Sequence, residues 1–275
     1  MLHVPRFITG NFKPHHLFLE DVEYGRALDA LVKAVSDVLI TSPDGSRVFL
    51  GKRKVHPQPD WWYMGGRAKP GESPQQAAAR VMRRELCLQL PATRFEVIGS
   101  YSMTWAMREQ APAEHGTADI STVHHLVLQP EEEAAVKIDE KEYAESQWFG
   151  RDEILLGQFH PILKQALRDL QAKTMYRMLQ QAVQEQAKDS EVSQLARSFV
   201  AAAQESMALD DKGVMQVDFD EESRNYAISF KDEAKACGYK SGCLVLQDLG
   251  RRVSIALELS ASGRKLGTGC LFFLS

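Results

Sequence analysis

Apolar runs bounded by turn residues predict a series of β-strands along the chain. The segment 28–41 is apolar and β-branched, SPDGS follows it as a turn, and 47–53 is again strand-like, so the two runs predict a hairpin. Further strands are predicted at 94–107, 121–129 and 145–150.

A helix is predicted between this hairpin and the later strands. The segment 55–73 is dense in proline and glycine and predicts a loop. Ser73 followed by Pro74 suits an N-cap with proline at the first helical position. The run rich in Ala, Gln, Arg and Leu that follows predicts a helix over 74–89, ended by Pro91.

Strands alternating with helices predict an α/β domain over 28–170, preceded by an N-terminal arm of residues 1–27. A helix that starts near Asp152 completes this unit. Recurring apolar positions then predict a helical connector over 171–209. The strand-like segments of 210–275 predict a small β-rich or α+β domain, or a sheet that mediates dimerisation.

Composition excludes several classes of protein. The 275 residues carry a formal net charge of -4, which argues against a general nucleic-acid binder. No apolar stretch approaches the roughly 20 residues of a membrane span, and the N-terminus lacks the apolar centre of a signal peptide. We therefore expect a cytoplasmic protein. The widely spaced cysteines, which form no CxxC pair, are expected to be free thiols: Cys87, Cys237, Cys243 and Cys270. The alternative for Cys237 and Cys243 is a pair across a hairpin, which a reducing compartment disfavours.

The loop and helix between residues 65 and 90 carry a spaced set of chemical groups. The matching positions are Gly66, Glu72, Arg80, Met82, Glu85 and Leu88. Their order and spacing resemble the motif of the Nudix hydrolase family, which is a Gly, five residues, a Glu, seven residues, then Arg-Glu-apolar-any-Glu-Glu-any-Gly-apolar. The resemblance implies an α/β/α sandwich with a mixed sheet.

Three positions depart from that motif. Val81 and Arg84 stand where the family has carboxylates, and Cys87 stands where it has glycine. A similarly reduced helix is typical of the GDP-mannose mannosyl hydrolases, a branch that cleaves at the anomeric carbon of the sugar. The resemblance to this branch also covers WWYMGGR, GTADISTVHHLVL and QWFGRDEIL.

This resemblance implies a magnesium-dependent hydrolase of a nucleoside diphosphate sugar similar to GDP-mannose. The expected Mg²⁺ ligands are the carbonyl of Gly65 and the carboxylates of Glu85 and Glu142. The side chains expected to contact the diphosphate are Arg53, Arg67 and Arg80.

The general base and the base-binding residue stay open at this point. An ungapped reading of the resemblance puts Tyr143 where the branch has a histidine, and Glu142, Asp37 or His124 are alternatives. Asp37 lies in an apolar strand, where a carboxylate is costly unless it is paired or metal-linked. Either Trp61 or Trp62 is a candidate to stack on a nucleobase, and both are also candidates for the core.

A second functional class is a catalytically silent domain of the same fold. It would bind a nucleotide or a protein partner, with residues 210–275 supplying the specific task. The loss of acids at Val81 and Arg84 favours this alternative, whereas the retained Glu85 favours an enzyme.

Overall fold

In the computed structural model, which describes residues 4–209 and 212–231, a seven-stranded sheet forms the middle of the chain. Its strands are β1 (Lys33–Thr41), β2 (Arg47–Arg53), β3 (Trp61–Trp62), β4 (Met64–Arg67), β5 (Glu96–Trp105), β6 (Thr117–Val127) and β7 (Tyr143–Gly150). The order is β3-β2-β1-β6-β5, with β4 also paired to β1 and β7 to β2. Only the β1–β6 pair of this described sheet is parallel, so the sheet is mixed, as predicted.

Helices cover both faces of this sheet. Those in the described segments are α1 (Asp21–Ala30), α2 (Pro74–Glu85), α3 (Pro130–Ala135), α4 (Arg151–Leu156), α5 (Pro161–Gln184) and α6 (Asp189–Ser206). Short 3-10 turns lie at Ala92–Arg94 and Ala113–His115. None of the helices in the described part of the chain combines the length and apolar character needed to cross a membrane.

Two apolar clusters hold the layers together. One joins the sheet to α4 and α5 and includes Leu39, Val123, Ile154, Leu163 and Leu167. The other joins the sheet to α2 and includes Val38, Ile40, Val81, Met82 and Leu126. Each such side chain contributes about 1.5–3 kcal/mol on full burial, so packing on both faces stabilises the fold. The predicted α/β/α sandwich is confirmed.

Helix α2 begins as predicted and ends earlier than predicted. The Ser73 hydroxyl accepts a hydrogen bond from the backbone of Gln76, and the Gln76 side chain in turn accepts from the backbone of Ser73. The predicted end at residue 89 is wrong, because the helix stops at Glu85 and Cys87 adopts a left-handed φ of 56°. That conformation turns the chain out of the helical path.

The first strand also starts later than predicted. Residues 21–30 form α1, and β1 starts at Lys33 rather than at residue 28. Helix α1 buries only Gly25 and Leu28. Its apolar periodicity is therefore too sparse to predict a helix.

Two compact units divide the described residues. Residues 4–208 and 219–227 form the first, and the others belong to the second. Helix α5 passes without a break through position 170, where the sequence predicts a domain boundary. Two predicted C-terminal strands are found as β8 (Val214–Asp220) and β9 (Asn225–Lys231), which pair with each other. The later predicted strands and Cys237, Cys243 and Cys270 lie outside the described residues.

A close approach between β1 and β4 explains the two glycines of β4. Asp37 pairs with Gly65 across the two strands, and a Cβ on Gly65 would overlap the Oδ1 of Asp37. A Cβ on Gly66 would lie 3.1 Å from a guanidinium nitrogen of Arg84 and 3.2 Å from Val81, both on α2. The missing side chains therefore allow a carboxylate and a helix to approach the same short strand.

We expect Gly65→Ala to lower the free energy of unfolding by about 1–3 kcal/mol, because the added methyl group must displace the Asp37 carboxylate. Gly150→Ala is the matched control, since its Cβ would meet nothing closer than 3.7 Å. Urea denaturation of both variants measures the difference. Equal stability of the two variants would contradict the close approach.

Candidate functional site

A cavity of about 290 Å³ opens at the end of the sheet where β1 and β6 begin and β5 ends, beside β4. Its lining is rich in charged side chains, with both guanidinium groups and carboxylates. The lining includes Asp37, Arg53, Arg67, Arg84, Glu142 and Tyr143. The cavity therefore gathers most of the site residues expected from the sequence.

The carboxylate of Glu85 is buried beneath this cavity. Its Oε2 accepts hydrogen bonds from the Tyr143 hydroxyl at 2.7 Å and from the Gly65 backbone N–H at 3.3 Å. Its Oε1 accepts from the guanidinium of Arg84. Burial raises the pKa of Glu85 to about 7, against the opposing effect of the Arg84 charge. The predicted approach of Glu85 to the Gly65-Gly66 loop is confirmed.

Arg84 lies between the groups expected to bind Mg²⁺. Its Nη2 contacts Glu85, is 3.5 Å from the Gly65 carbonyl oxygen and is 3.8 Å from the Oε2 of Glu142. The other oxygen of Glu142 accepts from Arg53 at 3.1 Å.

Mg²⁺ needs its oxygen ligands at about 2.1 Å, and a guanidinium nitrogen already takes the place where these oxygens converge. In the described segments, no group of three or more His, Cys, Asp or Glu side chains is arranged to hold a metal ion. The residues present therefore do not fit a bound Mg²⁺ in this arrangement.

Asp37 is the buried acid on the cavity wall. The hydroxyl of Ser121 donates a hydrogen bond to its Oδ2, and only 3% of the residue is exposed. Burial raises its pKa to about 7, opposed by the Ser121 hydrogen bond and the charge of Arg53. A carboxyl group with this pKa exchanges protons near neutral pH, which suits a general base.

The far end of the cavity is aromatic and carries its own ion pairs. The rings of Trp62 and Trp105 pack edge to face at 5.7 Å, and the indole N–H of Trp105 donates to Asp119 at 3.0 Å. Lys33 pairs with the same Asp119 at 3.0 Å. Arg108 is buried, and its Nη2 has no hydrogen-bond partner among the described residues. This end offers a flat surface and polar groups to a ring-shaped ligand.

Three residues predicted for the site, besides the buried Glu85, lie outside the cavity lining, and a fourth, Tyr143, lines the cavity with its hydroxyl bonded to Glu85. His124 is fully buried outside the cavity lining, and burial lowers its pKa to about 4. Arg80 also lies outside the lining and pairs with Glu72 at 2.6 Å.

The other two are aromatic. Trp61 packs against Phe149 with ring centres 4.7 Å apart, and it does not line the cavity. Tyr143 lines the cavity, but its hydroxyl donates to Glu85 and burial raises its pKa well above 10. In this arrangement Tyr143 acts as a hydrogen-bond donor to Glu85, which favours Asp37 over Tyr143 as the base.

Several cavity residues were not predicted from the sequence. Lys33, Trp105, Arg108 and Asp119 come together because β1, β5 and β6 are neighbours in the sheet. Their only sequence signal is charge or aromaticity at a strand end. That signal becomes informative once the strand order is known.

Comparison with protein-family models matches residues 32–170 to the NUDIX domain. A search of curated proteins finds no match.

Solved structures that match part of this chain include the MutT protein from Methanosarcina mazei Go1. The two are 18% identical, and the match covers 50% of this chain and 90% of that one with a TM-score of 0.39. The E. coli dihydroneopterin triphosphate pyrophosphohydrolase is 20% identical, and the match covers 50% of this chain and 95% of that one with a TM-score of 0.39. The C. elegans Ap4A hydrolase is 15% identical, and the match covers 52% of this chain and 99% of that one with a TM-score of 0.37. A MutT/nudix family protein from Enterococcus faecalis is 18% identical, and 44% of each chain is covered with a TM-score of 0.35. This chain thus spans less than half of that protein.

We expect Asp37→Asn to change how stability depends on pH. The pKa of Asp37 is raised from 3.8 to about 7 in the folded state, so the protonated acid favours the folded state. This contribution to the free energy of unfolding is fully present below about pH 4 and is lost as the pH rises through 7. Asparagine does not titrate. The free energy of unfolding of the variant, relative to that of the natural protein, should therefore rise by on the order of 4 kcal/mol between pH 4 and 8.

Urea denaturation across this pH range measures the difference in unfolding free energy. Asp44→Asn is the control, because the pKa of Asp44 is lowered to about 2 and lies outside the window. A difference for Asp37→Asn that stays constant with pH would contradict a raised pKa.

Proposed function

Because the chain belongs to the Nudix family, whose members generally hydrolyse nucleoside diphosphate derivatives, we propose that it hydrolyses a nucleoside diphosphate sugar of the GDP-mannose kind. The bond broken is the one between the anomeric carbon and oxygen. The observation that carries this proposal is one cavity lined by a buried acid, Asp37, and by three arginines, Arg53, Arg67 and Arg84.

The arginines suit the leaving group. As the carbon–oxygen bond breaks, the nucleoside diphosphate takes the electron pair and negative charge grows on its oxygens. Guanidinium groups are always charged and match phosphate oxygens with paired donors, so they stabilise this charge as it develops. Arg67 lies over the ring of Tyr24 at 4.8 Å, which holds it at the rim of the cavity.

Asp37 suits the role of base in this reaction. A water molecule forms the new bond to the anomeric carbon and gives its proton to the Asp37 carboxylate, and the freed sugar keeps the water oxygen. Ser121 holds the carboxylate in place, and Gly65 leaves room for it. No step at phosphorus is needed, which agrees with the small number of acids near the loop.

The aromatic end of the cavity supports a nucleotide as the substrate. Trp105 is partly exposed there, beside the buried Trp62. We assign the nucleobase to this end, where Trp105 offers a stacking face and the unpartnered Nη2 of Arg108 offers a donor. The diphosphate then lies toward Arg53 and Arg84.

A second candidate function is nucleotide binding without turnover. It is favoured by one observation, namely that both acids expected to bind the metal, Glu85 and Glu142, are paired with arginines. A domain of this kind would keep the cavity and lose the reaction.

Hydrolysis of GDP-mannose and other nucleotide sugars in ¹⁸O-labelled water tests the proposal. We expect the label in the free sugar and unlabelled nucleoside diphosphate. Label in a phosphate product would contradict attack at carbon. Binding without turnover on any nucleotide sugar would favour the second candidate.

Asp37→Asn should lower kcat by about 10²- to 10⁴-fold with little change in nucleoside diphosphate affinity, because it removes the base and keeps the arginines. Asp152→Asn is the control, since Asp152 is exposed at the start of α4, away from the cavity. Unchanged kcat in Asp37→Asn would exclude Asp37 as the base.

A further inference from the structure

Arg84 takes the position that the family resemblance gives to a metal ion. The carbonyl of Gly65 and the carboxylates of Glu85 and Glu142 are the three groups expected to bind Mg²⁺, and all three face the Nη2 atom of Arg84. These groups come from β4, from the end of α2 and from the residue before β7. Arg84 and Glu85 are neighbours in the sequence, but the fold is needed to bring Gly65 and Glu142 to the same nitrogen.

Electrostatics explain why a cation is required there. Glu85 is fully buried, and a buried carboxylate is costly unless it is paired. Glu142 adds a second negative charge next to it. The guanidinium of Arg84 reaches both carboxylates, and the Arg53 guanidinium pairs with Glu142 from the other side. Arg84 and Arg53 therefore supply positive charge to both acids without a metal.

The arginines keep donors for a ligand after these pairs have formed. The Nε of Arg53 is buried and has no hydrogen-bond partner among the described residues. The side chain of Arg84 is 47% exposed and lines the cavity. A phosphate oxygen bound in the cavity would supply the acceptor that the Nε of Arg53 lacks among the described residues.

We propose that Arg84 permanently replaces the divalent metal of this site, so that the diphosphate of the substrate binds directly to Arg84 and Arg53 with no metal between them. This inference rests on the proposed function for the identity of the ligand. The claim that Arg84 replaces the metal does not depend on the proposed function, because metal binding is measured without any substrate.

The first test titrates the full chain with Mn²⁺ alone and measures free Mn²⁺ by electron paramagnetic resonance. We expect weak binding to the natural protein and to Arg83→Ala, the matched control, whose residue is exposed on the same turn of α2. Arg84→Ala should bind one Mn²⁺ at least about tenfold more tightly, because the three oxygens then face an open position. Adding Glu85→Gln to Arg84→Ala should abolish the gain.

Tight Mn²⁺ binding to the natural protein, or equal weak binding to Arg84→Ala, would overturn the replacement. Arg84→Lys keeps a positive charge near Glu85 and serves if Arg84→Ala does not fold. It should leave Mn²⁺ binding weak, and a gain of tight binding with lysine would contradict a role for the charge.

The second test measures nucleotide binding, first to the natural protein and then to Arg84→Ala. Calorimetric titration of the natural protein with GDP should give the same Kd in EDTA as in Mg²⁺. In Arg84→Ala, the affinity in EDTA should fall about 10- to 100-fold and recover partly with Mn²⁺. Binding of GDP to the natural protein that requires Mg²⁺ would overturn the proposal. Absence of sugar hydrolysis would count against the proposed function and leave the metal result standing.

Discussion

The pairing of the buried Glu85 carboxylate is the interaction on which the site depends. Burying this charge is unfavourable unless its oxygens find donors, and the donors come from three separate segments. Gly65 gives a backbone N–H, Tyr143 gives a hydroxyl and Arg84 gives its guanidinium. The same contacts hold the end of α2 against β4 and β7. The need to pair the buried Glu85 carboxylate thus fixes the relative position of the elements that surround the cavity.

The two glycines of β4 make this arrangement sterically feasible. At Gly65 the absent side chain leaves space for the carboxylate of Asp37, and at Gly66 it lets α2 lie directly on the strand. The acid on β1 and the arginine on α2 consequently reach the same cavity from either side of a short strand. The charge of Glu85 contributes to the raised pKa of Asp37, and the charge of Glu142 contributes to the raised pKa of Glu85. The charges of Arg53 and Arg84 oppose these shifts at Asp37 and Glu85, respectively.

The sequence predicts the fold and part of the site, for physical reasons that differ between residues. The helix N-cap at Ser73 and the approach of Glu85 to Gly65 follow from local spacing, which one sequence displays directly. Trp105 and Arg108 reach the cavity through strand order, which local spacing does not encode. His124 shows the opposite problem, because its strand is correct and its side chain is nevertheless buried outside the cavity. Periodicity gives alternation along a strand but does not say which face bears the site.

Two of the three departures from the family motif, Val81 and Arg84, are linked through the charge of the site. Val81 is fully buried beside Gly66, so a carboxylate there would require a cation to compensate its burial. Cys87 adopts a left-handed conformation, which costs about 1 kcal/mol for a residue with a Cβ and which a glycine at this position would adopt without that cost. Under the proposed replacement, the single charge of Arg84 is matched to the remaining acids, and a third acid at position 81 would leave the site with excess negative charge. A guanidinium carries one positive charge, whereas a divalent ion carries two, so a site with Arg84 in place of the ion can compensate fewer acids. Valine at position 81, one turn earlier on the same helix, is consistent with that smaller charge.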